Sequence, residues 1–87
     1  MPSNKIQIAV IVNGQPTLVD GNVNAPLQTI IPRVLEETGN TGQPPDNWEL
    51  RDAQGTLLDT SKKIASFAFP LDVRLFLNLK AGVGGFS

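Results

Sequence analysis

The side chains that do most enzyme chemistry are missing from this sequence. Its 87 residues include no cysteine and no histidine. That removes a thiol nucleophile, a disulfide, a zinc site of the usual Cys/His kind and the imidazole of a Ser-His-Asp arrangement. Asp52 and Asp59 show no spacing that makes an acid–base pair, and Glu36-Glu37 reads as the solvated side of a helix. Lys62-Lys63 offers two adjacent amines, a pattern that fits a solvated surface or acceptors for an acyl group. Trp48 reads as a core residue rather than a ligand platform. An active site of its own is not expected, nor a cofactor, nor a metal. What remains is main chain: Lys80-Ala81-Gly82-Val83-Gly84-Gly85-Phe86-Ser87, with three glycines in eight residues. A phosphate-cradling glycine loop needs a helix after it, and no helical pattern follows. By composition alone the segment reads as a frayed terminus. Extended from Lys80 to Gly85, it reaches roughly 20 Å.

The rest of the chain has one small domain's worth of residues and no room for a second core. With 40 % apolar and 17 % charged residues it suits a globular fold. Seven basic and eight acidic side chains leave a net charge of −1, which gives no general attraction for nucleic acid or anionic lipid. The first apolar run, residues 6–12, is too short for a signal-peptide core, and nothing approaches a membrane span. A cytoplasmic protein is expected.

Along the chain, Ile6, Ile8, Val10 and Val12 form one face of a strand. Asn13-Gly14 supplies the two positive φ values of a type I′ turn. The returning strand carries Thr17, Val19, Gly21 and Val23 on one face, with Asp20-Gly21-Asn22 as a weak point or bulge. The period then changes: Leu27, Ile30, Ile31, Val34 and Leu35 make a helical stripe. Gly39 stands where a left-handed residue would end it. Pro32 leaves two readings, a regular helix starting near Gln28 or Thr29 with Pro32 in its opening turn, or a kinked helix from Leu27. Short strands follow at residues 48–51, burying Trp48 and Leu50, and at residues 56–58, with a turn at residues 52–55 between them. Residues 61–69 read as an irregular stretch or a short helical turn placing Ile64 and either Phe67 or Phe69 in the core. The last strand, residues 73–79, points Val73, Leu75, Leu77 and Leu79 one way and Arg74, Phe76 and Asn78 the other. Hairpin, helix, short strands and a long final strand make an α+β plan, with the two most apolar strands side by side in the centre. The expected domain is residues 1–79, a β-grasp whose mixed four- to five-stranded sheet packs on one helix. Residues 80–87 are then a flexible tail.

That order, with Gly84-Gly85 a few residues past the last strand, resembles ubiquitin and the ubiquitin-like proteins over residues 5–85. In detail Asn13-Gly14, the run Thr38-Gly39-Asn40-Thr41-Gly42-Gln43-Pro44-Pro45 and Trp48-Glu49-Leu50-Arg51-Asp52 are similar to bacterial ubiquitin-like modifiers. The resemblance implies a protein modifier encoded beside an activating enzyme, a conjugating enzyme and a JAB-like peptidase, in operons associated with antiviral defence. In such a system the activating enzyme uses ATP to adenylate the terminal carboxylate, and residues without Cβ thread its narrow slot. Gly84 and Gly85 are then the conjugating residues. The peptidase is expected to cut the Gly85–Phe86 bond first, because Phe86 and Ser87 cover the carboxylate. No arginine precedes the diglycine, so the bidentate pairing that arginine offers an enzyme is absent. A dedicated partner reading Val83 and Leu79 is expected instead.

The strand pattern also suggests where partners dock. Phe76 stands on the face away from the helix, beside Ala9 and Ile11, rimmed by Glu49, Arg51 and Arg74. Phe76, Ile11, Leu79 and Val83 are the candidate partner-binding residues. Two other classes remain open: a sulfur carrier with a C-terminal thiocarboxylate, and a non-conjugated interaction or self-assembling module.

Overall fold

The computed structural model describes residues 4–81, beginning with the expected hairpin. Strands β1 (Lys5–Val12) and β2 (Gln15–Asn22) pair antiparallel without interruption, from Lys5↔Asn22 to Val12↔Gln15. Asn13 (φ 51°) and Gly14 (φ 80°) take the two positive φ values of the turn. The bulge expected at Asp20-Gly21-Asn22 is absent: Gly21 pairs regularly with Ile6. Its lack of a side chain serves close packing instead. A Cβ at Gly21 would stand 2.8 Å from Ile64 Cδ1 and 3.1 Å from Ile8 Cδ1.

A 3-10 turn at Leu27–Ile30 leads into the helix α1 (Ile31–Thr38), with Pro32 at its second position. The opening-turn reading of Pro32 therefore holds, and the kinked helix does not form. The start falls later than Gln28 or Thr29 for a steric reason. In an α-helix already running through Gln28, the Pro32 ring would meet the Gln28 carbonyl. Among the described residues no side chain caps this entrance; the Leu27 and Gln28 N–H groups donate to the carbonyls of Lys62 and Thr60, both at 2.9 Å. At the other end Gly39 is left-handed (φ 74°) as expected. The Gly39 N–H reaches Glu36 O at 3.3 Å and the Asn40 N–H reaches Leu35 O at 2.8 Å, which together make a Schellman motif.

Strands β3 (Trp48–Arg51) and β4 (Arg74–Leu79) complete a mixed sheet of order β2-β1-β4-β3. β1 and β4 are central and parallel, with Ala9 opposite Arg74 and Val12 opposite Leu77. Among the described residues the sheet has four strands. Residues 56–58 contribute only an isolated bridge between Leu57 and Arg51. The Asp52 carboxylate accepts the Gln54 and Thr56 N–H groups, both at 2.9 Å, and curls the chain directly after β3. It then leaves the sheet to meet the entrance of α1.

The core lies between the sheet and α1. Ile8, Val10, Leu27, Val34, Leu50 and Leu75 are completely inaccessible, and among the described residues no charged side chain is buried. A further 3-10 turn, Ile64–Phe67, buries Ile64 and ends on a left-handed Ala68. Phe67 and Phe69 share the flank of the core rather than competing for it. Both are half-buried, and their rings stack 5.1 Å apart.

Candidate functional site

Strand alternation puts every second residue of the four strands on the face that α1 does not cover. The register shows who stands beside whom. One row across this open face runs Pro16, Ile11, Phe76, Arg51, and the next runs Leu18, Ala9, Arg74. Phe76, Ile11 and Ala9 are half-buried by their neighbours, and Leu18 is 64 % exposed. These residues form an apolar patch extending from β4 across β1 to the outer edge of β2. Contiguous apolar surface of this kind, rimmed by polar groups, marks interaction sites.

The rim is charged and partly locked. Arg51 Nη2 lies 3.0 Å from Glu49 Oε2, and Arg51 Nη1 donates to Gly55 O at 2.8 Å. Arg51 is thus held flat against its own strand and the following turn. Arg74, also on the rim, is exposed and has no ion-pair partner among the described residues. It is the more available of the two guanidinium groups for a partner's carboxylate.

The structure brings together Phe76 and Ile11, which pair directly, but not Leu79. Leu79 lies at the end of β4 on the helix side, opposite Trp48, and is 38 % exposed where the sheet runs out. It borders a shallow groove with Trp48, Asn13, Asn40 and Gln43. Val83, Gly84, Gly85 and Phe86 lie outside the described residues. Two features escaped sequence reasoning. Leu18 extends the patch, and the hairpin register alone, which sets it opposite Ala9, was enough to find it. Trp48 is core as expected, yet its buried indole Nε1 has no hydrogen-bond partner among the described residues, which sequence pattern does not reveal.

The acidic side chains build loops. Asp59 Oδ1 accepts the Ser61 hydroxyl at 2.6 Å and the Ser61 N–H at 3.1 Å. Those bonds, the hydroxyl's first, hold the Asp59 carboxyl below its ordinary pKa, with the Lys62 charge adding to them. The Asp52 carboxylate accepts the Gln54 and Thr56 N–H groups in its own turn. Lys62 and Lys63 are exposed on the loop that holds the α1 entrance. Among the described residues no three His, Cys, Asp or Glu side chains gather closely enough for a metal ion. No described helix is long and apolar enough to cross a membrane.

Comparison with known proteins supports this architecture. The profile of a family described as protein of unknown function, DUF2604, matches residues 1–85. The uncharacterized protein y4jI of Sinorhizobium fredii is 54 % identical over 81 residues, 93 % of this chain and 62 % of y4jI. The chain therefore spans less than two thirds of that relative's length. Among solved structures, a de novo design based on ubiquitin superposes with a TM-score of 0.75 at 17 % identity, covering 98 % of this chain and 100 % of the design. The ubiquitin of Caldiarchaeum subterraneum gives 0.71 at 20 % identity, covering 93 % and 99 %. The ubiquitin-like domain of an Arabidopsis thaliana protein gives 0.71 at 13 % identity, covering 98 % and 87 %. At these identities the likeness shows the fold, which is ubiquitin-like.

Proposed function

The chain belongs to the DUF2604 family, and we propose that it is a ubiquitin-like protein modifier, joined to target proteins through the carboxylate of Gly85. The observation that carries this reading is positional. Gly85 is the sixth residue after Leu79, the last residue of a central strand in a ubiquitin-like fold. The open face, with Phe76 beside Ile11, is the complementary part, a surface on which enzymes hold the domain while they work on its tail. Leu79 and Val83 are the apolar contacts nearest the diglycine for a dedicated activating enzyme.

The chemistry belongs to the partners. A JAB-like peptidase hydrolyses the Gly85–Phe86 bond and leaves a free carboxylate on Gly85, whatever follows it in the chain. An activating enzyme lets that carboxylate attack the α-phosphorus of ATP, releasing pyrophosphate and leaving an acyl-adenylate. A nucleophilic side chain of the enzymes attacks the acyl-adenylate and displaces AMP; the acyl group then passes through a conjugating enzyme to a target amine or hydroxyl, which displaces the enzyme nucleophile. The modifier contributes no catalytic residue and no cofactor. A cytoplasmic place in a bacterial defence system fits this reading.

Intact-mass spectrometry after co-expression with the enzymes encoded nearby tests it. The expected product ends at Gly85 and appears as an adduct on other proteins, and removal of Gly84 and Gly85 abolishes those adducts. A terminal thiocarboxylate with no protein adduct would identify a sulfur carrier instead. Full biological function without the diglycine would identify a non-conjugated interaction module.

A further inference from the structure

The two edges of the sheet are finished differently. Alongside β3, the Leu58 N–H donates to Leu50 O at 2.9 Å, the Asp52 N–H donates to Thr56 O at 3.0 Å, and Leu57 bridges Arg51. β2 has no strand on its outer side among the described residues. The turn dictates which backbone groups β2 presents there. A two-residue type I′ hairpin closes on a pair that exchanges both hydrogen bonds, and such pairs recur at every second residue. Val12↔Gln15, Val10↔Thr17, Ile8↔Val19 and Ile6↔Gly21 are therefore the bonded pairs. Pro16, Leu18, Asp20 and Asn22 turn their main-chain groups outward. The outward bonds already made agree with this. Arg33 Nη1 donates to Asp20 O at 3.2 Å, and the Ala25 N–H donates to Asn22 O at 2.9 Å.

What is left is complementary to itself. When a second β2 lies antiparallel with Leu18 opposite the copy's Leu18, Pro16 stands opposite the copy's Asp20. The Leu18 N–H then meets the copy's Leu18 carbonyl, and the reverse. The Asp20 N–H meets the copy's Pro16 carbonyl, and the reverse. Pro16 has no N–H to return, and the acceptor it leaves unserved is the Asp20 carbonyl, which Arg33 already satisfies. Proline and a covering side chain ordinarily blunt an edge against pairing; at this edge they leave one register fully satisfied. In that register the 64 % exposed Leu18 packs against its counterpart on the open face. From this match we propose that β2 is a self-docking edge, on which two copies of the chain pair antiparallel about a two-fold axis at Leu18. The contact is isologous, as a closed dimer requires. It merges the two open faces into one surface and leaves Phe76 uncovered. It uses neither the tail nor any enzyme, so it stands or falls apart from the modifier reading.

Sedimentation velocity of the purified chain from about 1 μM to about 1 mM tests the proposal. A monomer–dimer equilibrium is expected, and Leu18→Lys, which sets like charges opposite each other, weakens it at least about tenfold with an unchanged circular dichroism melt. A second variant exploits the absence of cysteine from the sequence. Leu18→Cys is expected to form a covalent dimer under mild oxidation far faster than Leu71→Cys, placed at a fully exposed leucine off the sheet. A monomer across the whole range, a dimer indifferent to Leu18→Lys, or equal cross-linking at positions 18 and 71 would overturn the proposal.

Discussion

On the helix side of the sheet Ile8, Val10, Leu75 and Leu77 are 1 % exposed or less, whereas one residue further along the same strands Ala9, Ile11 and Phe76 are only half covered. The two faces share backbone, register and strand propensity. They differ in whether α1 stands over them. Burial against α1 removes apolar surface from water at every second position, and that is where folding free energy collects. The open face gains little from folding, and its apolar residues are free for a partner to cover.

Substitutions can break that contrast. Leu75→Ala empties a site with no room to collapse and should cost about 2–5 kcal/mol, read as a lower urea midpoint at unchanged slope. Gly21→Val, also on the helix side, forces branched carbons against Ile64 and Ile8; a loss of about 1–3 kcal/mol is expected in the same assay. Phe76→Ala, one residue from Leu75, should cost less than about 1 kcal/mol in stability. It should nevertheless weaken capture by an activating enzyme more than about tenfold, as a central aromatic contact does. If Phe76→Ala unfolds the chain as readily as Leu75→Ala, the two faces are energetically alike and the distinction is lost.

The smallest effect is expected far from both faces. Ser61→Ala removes the hydroxyl bond to Asp59, so the Asp59 pKa should rise toward its ordinary value in a carbon-detected NMR titration. Because the folded value is depressed, the Asp59 bonds add stability above the unfolded-state pKa and lose it as pH falls through the folded one. The difference between wild type and Ser61→Ala should therefore fade under acid. A larger gap at low pH would contradict the assignment.

Legibility in the sequence followed the range of the interaction. Asn13-Gly14, the alternation of residues 6–12 and 73–79, and the left-handed Gly39 act within a few residues, and all three appear as read. Pro32 announced its place in the opening turn, but its steric effect on the preceding turn moved the start of α1 to Ile31. Gly21 misled because a strand glycine signals either a bulge or a close approach, and Ile64, the side chain that decides, is remote in sequence. Residues 56–58 carry a strand-like pattern, yet the Asp52 turn and the demands of the α1 entrance reduce them to a bridge. On the open face, Phe76 and Ile11 followed from alternation. Leu18 required the hairpin register to be carried across to β1.

The parallel pairing of β1 with β4 has a mechanical side. One strand begins at Lys5 and the other ends at Leu79, with their ladder running from Ala9↔Arg74 to Val12↔Leu77. A pull on the chain after Leu79 against the chain before Lys5 drags these strands past each other lengthwise. The load falls on the whole ladder together and cannot peel it open one rung at a time. A motor that pulls on the residues after Leu79 loads the rungs of this ladder together, while one that pulls sideways on β2 opens its ladder with β1 one rung at a time.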